Sequence, residues 1–142
     1  IFFYDMKEIN QTIKFKTNDF ENILNLNFNY IVQISYTFNL EVKSGLFSGN
    51  SSFCVRNDEI KKMIFDLREM YDTLKGNTIL YDNDSDSYLK FEMLKNGHLS
   101  IKGQVGGSHQ DHSMNFLFLT DQTGLLDFIE ELNCILKIED EK

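Results

Sequence analysis

The chain contains no proline and no tryptophan. No proline-rich linker divides it, and its 142 residues are expected to form a single domain, residues 1–142, large enough to bury a real core. Cysteine is scarce. Cys54 and Cys134 each sit in an apolar or amphipathic run, so the expectation is two buried free thiols in a reducing cytoplasm, not a disulfide scaffold. No apolar run approaches the roughly 20 residues of a membrane span. Basic residues are few as well: 14 Lys and Arg stand against 22 Asp and Glu, net −8. The deficit is lopsided, because residues 1–76 carry 10 acids and 9 bases while residues 77–142 carry 12 acids and 5 bases, net −7. Such a surface repels nucleic acid and anionic lipid, whose binding needs a basic footprint. It favours a basic protein partner instead. Nucleophile and phosphate-binding motifs are also missing: there is no G-x-S-x-G, no G-x-x-x-x-G-K and no G-x-G-x-x-G.

Phenylalanine is abundant. Thirteen Phe and six Tyr favour a sheet-rich protein. Residues 47–67 and 112–132 share one pattern, an alternating strand, a polar cap and an amphipathic helix, with Asp58 aligned to Asp121. A weak repeat of this length marks a duplication within one domain, with half-repeats at about 12–76 and 77–138.

In the first half, residues 12–16 read as a short strand and the Asn-rich stretch 18–27 as a turn. Phe28, Tyr30, Val32, Ile34, Tyr36, Phe38, Leu40 and Val42 share one parity, either as one bent strand or as two broken near Gln33–Ser35. A strand carrying Phe47, Phe53 and Val55 follows. The apolar spacing of Ile60, Met63, Ile64, Leu67, Tyr71 and Leu74 predicts a helix over 58–75, capped by Asn57 or Asp58 and stopped by a left-handed Gly76. In the second half, strands are expected over 78–82 and 88–94, then an Asn96–Gly97 hairpin and a strand over 98–105. The strand over 112–119 is apolar on both faces and is expected to be central. A second helix over 121–138, capped by Asp121, buries Leu125, Phe128, Ile129, Leu132, Ile135 and Leu136. The class is α+β, antiparallel sheets with two long helices. The plan resembles the duplicated β4α repeat of the Whirly-like fold; two helices on one larger sheet is the alternative.

Few residues can carry chemistry. Asp82, Asn83, Asp84, Ser85 and Asp86 open like a calcium loop. Ser87 then stands where glycine is needed and Met93 where a bidentate glutamate is needed, so an acidic turn is expected. His98, His109 and His112, with Asp111, offer the alternative of a small metal- or ligand-binding module or an enzyme using the His98–His112 hairpin, and solvated loop histidines explain them as well. Thr120 to Thr123 fits helix capping. No metal, no cofactor and no catalytic residue is expected.

A resemblance carries the function. The stretch F-L-F-L-T-D-Q-T-G-L-L-D-F-I-E-E-L at 116–132 is its clearest part. With it go G-L-F-S-G at 45–49, D-E-I-K-K-M-I-F-D-L-R-E-M-Y at 58–71, L-K-G at 74–76 and G-H-L-S-I-K-G at 97–103. Over roughly residues 28–137 the chain resembles the WapI-type immunity proteins of bacterial polymorphic toxin and contact-dependent inhibition systems. The resemblance implies a small cytoplasmic protein that binds and neutralises the toxic C-terminal domain of a cognate toxin, often a nuclease. Its motif positions here, Phe47, Gly49, Leu74, Gly76, Gly97, Gly103, Asp121, Gln122, Thr123 and Leu125, are read as fold determinants. The toxin contacts expected from charge are Asp82, Asp84, Asp86 and Asp111 in loops and Glu130 and Glu131 on the second helix. Reversing Asp82, Asp84 and Asp86 to lysine is expected to spare stability. A monomer or weak dimer is expected, with no membrane and no direct nucleic-acid partner.

Overall fold

The structure, a computed structural model, describes residues 6–17, 21–107 and 112–140. Its elements are β1 (Met6–Phe15), β2 (Asn22–Val32), β3 (Ser35–Ser44), β4 (Phe47–Arg56), α1 (Asn57–Thr73), β5 (Asn77–Tyr81), β6 (Tyr88–Met93), β7 (His98–Gly106), β8 (Ser113–Asp121) and α2 (Leu125–Asp140). The strands form two antiparallel four-stranded sheets, β1-β2-β3-β4 and β5-β6-β7-β8, each followed by a helix. The duplicated strands-then-helix plan is therefore real, and the fold is α+β. α1 lies against β5 and α2 against β1, so each helix covers the first strand of the other half. Buried residues of both halves join in one apolar cluster. Phe15 of β1 meets Phe91 of β6 and Phe128 of α2, with ring centroids 5.9 and 5.3 Å away.

The long alternating stretch is two strands. Gln33 takes φ 57°, and the chain turns back at Gln33–Ile34. A shift in pairing between Phe28 and Tyr30 then flips the inward parity, since a bulge inserts one residue on one strand. Leu24, Leu26, Phe28 and Ile31 are buried, whereas Tyr30 and Val32 are half-buried and Ile34 is exposed. β1 also begins at Met6, ahead of the expected 12–16, and Asn22 to Asn27 belong to β2. Their asparagines alternate with Ile23, Leu24 and Leu26, and burial of the apolar set overrides the turn preference.

α1 keeps its buried stripe of Ile60, Met63, Ile64, Leu67 and Met70. Its N-cap is Arg56, not Asn57 or Asp58, and the Glu59 carboxylate accepts from the Arg56 N–H at 3.0 Å. Leu74, not Gly76, makes the left-handed stop, at φ 59°, and so leaves the buried stripe; Gly76 takes φ 102° two residues later. The β6–β7 hairpin does turn at Asn96 and Gly97, both at positive φ, in a short 3-10 turn over Lys95–Gly97. Replacing Leu67, fully buried, by alanine is expected to cost about 2–5 kcal/mol, because transfer energy is lost and a cavity remains. Urea denaturation checks this.

β8 is an edge strand, not a central one. Phe116 and Phe118 point into the core, while Leu117 and Leu119 are each 58% exposed. Apolar residues on both faces here mark an exposed apolar surface. Cys134 is exposed and Cys54 only partly buried, against the expectation of two buried thiols. No described helix is long and apolar enough to cross a membrane.

Candidate functional site

The acidic turn between β5 and β6 is built around Asp82. Its carboxylate is buried and accepts from the Cys54 N–H at 2.9 Å, the Asp84 N–H at 3.2 Å and the Ser85 hydroxyl at 2.5 Å. The Asn83 N–H donates to the Cys54 carbonyl at 3.1 Å, so the turn satisfies both backbone groups of Cys54 on β4. β4 is the outer strand of the first sheet, and an uncovered edge would invite pairing with another chain. The Asn83 amide also donates to the Glu59 carboxylate, which fixes the turn to the start of α1. Ser87, fully buried, donates to the Gly106 carbonyl at 3.0 Å. Asp82 is thus an internal tie, and its expected role as a surface contact does not fit its burial. Asp84 and Asp86 are exposed at the tip of the turn. Burial and the charges of Asp84 and Asp82 together push the Cys54 thiol pKa up. A thiol so placed is a poor nucleophile.

Glu130 and Glu131 are exposed on α2. Asp111 and His109 lie outside the described residues. His98 and His112 do not converge. His98 stands opposite Asp121 at one end of the β7–β8 ladder, and His112 precedes Ser113, which pairs with Gly106 at the other end. Eight residues of strand separate those ends, roughly 25 Å. Among the described residues no group of three His, Cys, Asp or Glu side chains could hold a metal ion.

The motif positions mostly explain themselves as scaffold. Asp121 accepts from the Thr123 N–H and hydroxyl, which hold its pKa below the usual carboxylate range and start the short 3-10 turn that leads into α2. A Cβ on Gly124 would lie 2.6 Å from the Lys16 carbonyl, so glycine lets β1 and the start of α2 close up. Phe47 breaks the pattern. It is 72% exposed beside a fully exposed Leu46, at the tip of the β3–β4 hairpin, where no core contact explains it.

The outer face of the second sheet carries a surface that sequence periodicity alone does not assemble. Its cross-strand rows are Tyr81–Tyr88–Gln104–Asn115, Ile79–Lys90–Lys102–Leu117 and Asn77–Glu92–Ser100–Leu119. Ile79, Tyr81, Leu117 and Leu119 are exposed, and the Tyr81 and Tyr88 rings lie 6.3 Å apart. The Ser44 hydroxyl, at the base of the Leu46–Phe47 hairpin, reaches the Leu117 carbonyl at 3.4 Å, so that hairpin adjoins the face. Alternation in β5 and β8 signalled these outward side chains, but only the strand order places them on one surface.

The model of the immunity protein WapI-like family matches residues 12–138. The chain belongs to that family. WapI-like immunity proteins act by binding a toxin, so this chain has an immunity function and a protein partner. The family also points away from an enzyme. No curated protein matches the chain. Among solved structures it is similar to a chain of MRP1/MRP2 from Trypanosoma bruciei, with TM-score 0.56 and 8% identity over 94% of this chain and 87% of that one. At that identity the likeness is one of fold.

Proposed function

We propose that this WapI-like immunity protein binds the toxic C-terminal domain of its cognate toxin, a nuclease with a basic cleft, and blocks the active site. The observation that carries this reading is the family match over residues 12–138. The net charge of −8 supports it, because a nuclease must attract phosphate and so presents a basic cleft that acidic side chains can enter. Asp84 and Asp86 are suited to that contact. They project from a turn whose own fold depends on Asp82, so their charges can reach a cleft without disturbing the sheet. Glu130 and Glu131 offer a second acidic patch on α2, and Asp111, between β7 and β8 in sequence, is the fifth acid of the set. The protein acts in the cytoplasm as a monomer or weak dimer and needs no cofactor.

Steering by these charges makes association salt-sensitive, since screening confines them to about 8 Å at physiological ionic strength. The association rate with the cognate toxin domain is expected to fall as salt rises, and stopped-flow fluorescence reads it. Replacing Asp84 and Asp86 together by lysine is expected to slow association about tenfold or more at low salt and to leave the melting temperature nearly unchanged. Cells that carry the toxin and remain fully protected by this double variant would take the turn out of the interface.

A further inference from the structure

The outer face of the second sheet combines two features that folding alone does not require. Lys90 and Lys102 stand directly opposite each other on the central strands β6 and β7. Like charges so placed repel. Glu92 approaches Lys90 only to 3.8 Å, and Lys102 has no ion pair among the described residues. In a chain of net −8, with far more acids than bases to place, a cationic pair at the middle of a sheet face is conspicuous. Around it lie four exposed apolar side chains, at the two edges of the same face. Four strands at about 4.8 Å spacing and five residues at about 3.3 Å give a face of roughly 300 Å² in projection. The face is mixed, with apolar side chains at its edges and polar ones between them, which is the make-up of a docking surface with anchoring apolar contacts around charged groups.

We propose that this face is the toxin-docking surface: Lys90 and Lys102 receive a carboxylate of the toxin domain, and Ile79, Tyr81, Leu117 and Leu119 supply the buried contact around it. The inference rests on the immunity reading above and specifies the partner. The toxin presents a patch with an acidic centre and basic borders. The acidic turn fits this arrangement, because it joins Tyr81 to Tyr88 and so hangs Asp84 and Asp86 from one end of the face. Acids at the rim steer a basic partner, and desolvated aromatic, aliphatic and cationic groups at the centre hold it. A nuclease cleft has this chemistry, with basic walls for phosphate around a carboxylate that holds a metal ion or a proton. Nucleic acid suits the face less well, because two lysines beside Glu92 and an acidic turn make a weak phosphate footprint.

The test uses the full chain and a catalytically inactivated cognate toxin domain, with titration calorimetry for affinity and thermal melting for stability. Lys102→Met relieves the lysine repulsion, so it is expected to keep or raise the melting temperature while weakening binding about tenfold. A merely structural lysine would not give opposite signs. Lys102→Glu and Leu117→Asp are each expected to weaken binding about a hundredfold, and Lys61→Glu, on the exposed side of α1, less than about twofold. Wild-type binding retained by both Lys102→Glu and Leu117→Asp would overturn the proposal and leave the immunity reading standing. No binding by the wild type would overturn both. A labelled single-stranded RNA that binds the wild type and is released by Lys102→Glu, with toxin affinity unchanged, would reassign the face to nucleic acid.

Discussion

Substituting Asp82 by lysine is expected to cost at least about 3 kcal/mol of folding stability, because three donors lose a charged acceptor in a buried place and a second charge takes its position. The donors are the Cys54 N–H on β4, the Asp84 N–H and the Ser85 hydroxyl. The turn would then release the β4 edge that it covers through Asn83, so the variant is also expected to aggregate on heating. Asp84→Lys and Asp86→Lys, both at exposed positions, should each fall within about 0.5 kcal/mol of wild type. Chemical denaturation of the three variants separates the tie from its neighbours. A triple reversal at 82, 84 and 86 would therefore confuse loss of fold with loss of contact. The expectation that it spares stability fails at Asp82 alone.

Gly103→Ala is the second large effect. A Cβ there would stand 2.1 Å from the Tyr88 carbonyl oxygen and 2.9 Å from the Phe116 ring. The carbonyl belongs to the paired strand β6, so relief requires β6 and β7 to separate. The expected cost is about 3 kcal/mol or more, at the upper end of overpacking effects. Gly45 provides the contrast. It has φ +63° but nothing within 4 Å of a Cβ, and Gly45→Ala should cost only about 1 kcal/mol, from backbone strain. Equal losses at the two glycines would show that the close approach of β6 and β7 is not what glycine serves.

Both helices and the duplicated order could be read from the sequence, because periodic apolar stripes such as Leu125, Phe128, Ile129 and Leu132 are local signals. Parity could not be carried through the bulge after Phe28, since one extra residue exchanges the faces and no side chain announces it. The edge position of β8 is hidden in the sequence for a related reason. Phe116 to Leu119 satisfies a central strand and an edge strand with an interaction face equally well, and only the strand order decides. At the acidic turn the charges were legible and their division of labour was not. Asp82 differs from Asp84 and Asp86 through hydrogen bonds to Cys54, a residue 28 positions away. The cationic pair of Lys90 and Lys102 likewise exists only once β6 and β7 are aligned.

Under the proposed function this chain neutralises a toxin domain by occupying it. The most direct measurement is a titration of the activity of the cognate toxin domain, nucleic-acid cleavage under the proposed function, with the purified protein. Cleavage of a nucleic-acid substrate is expected to fall linearly and to be abolished at one molar equivalent, with weaker protection from Lys102→Glu at the same ratio. Undiminished cleavage in the presence of excess wild-type protein would contradict it.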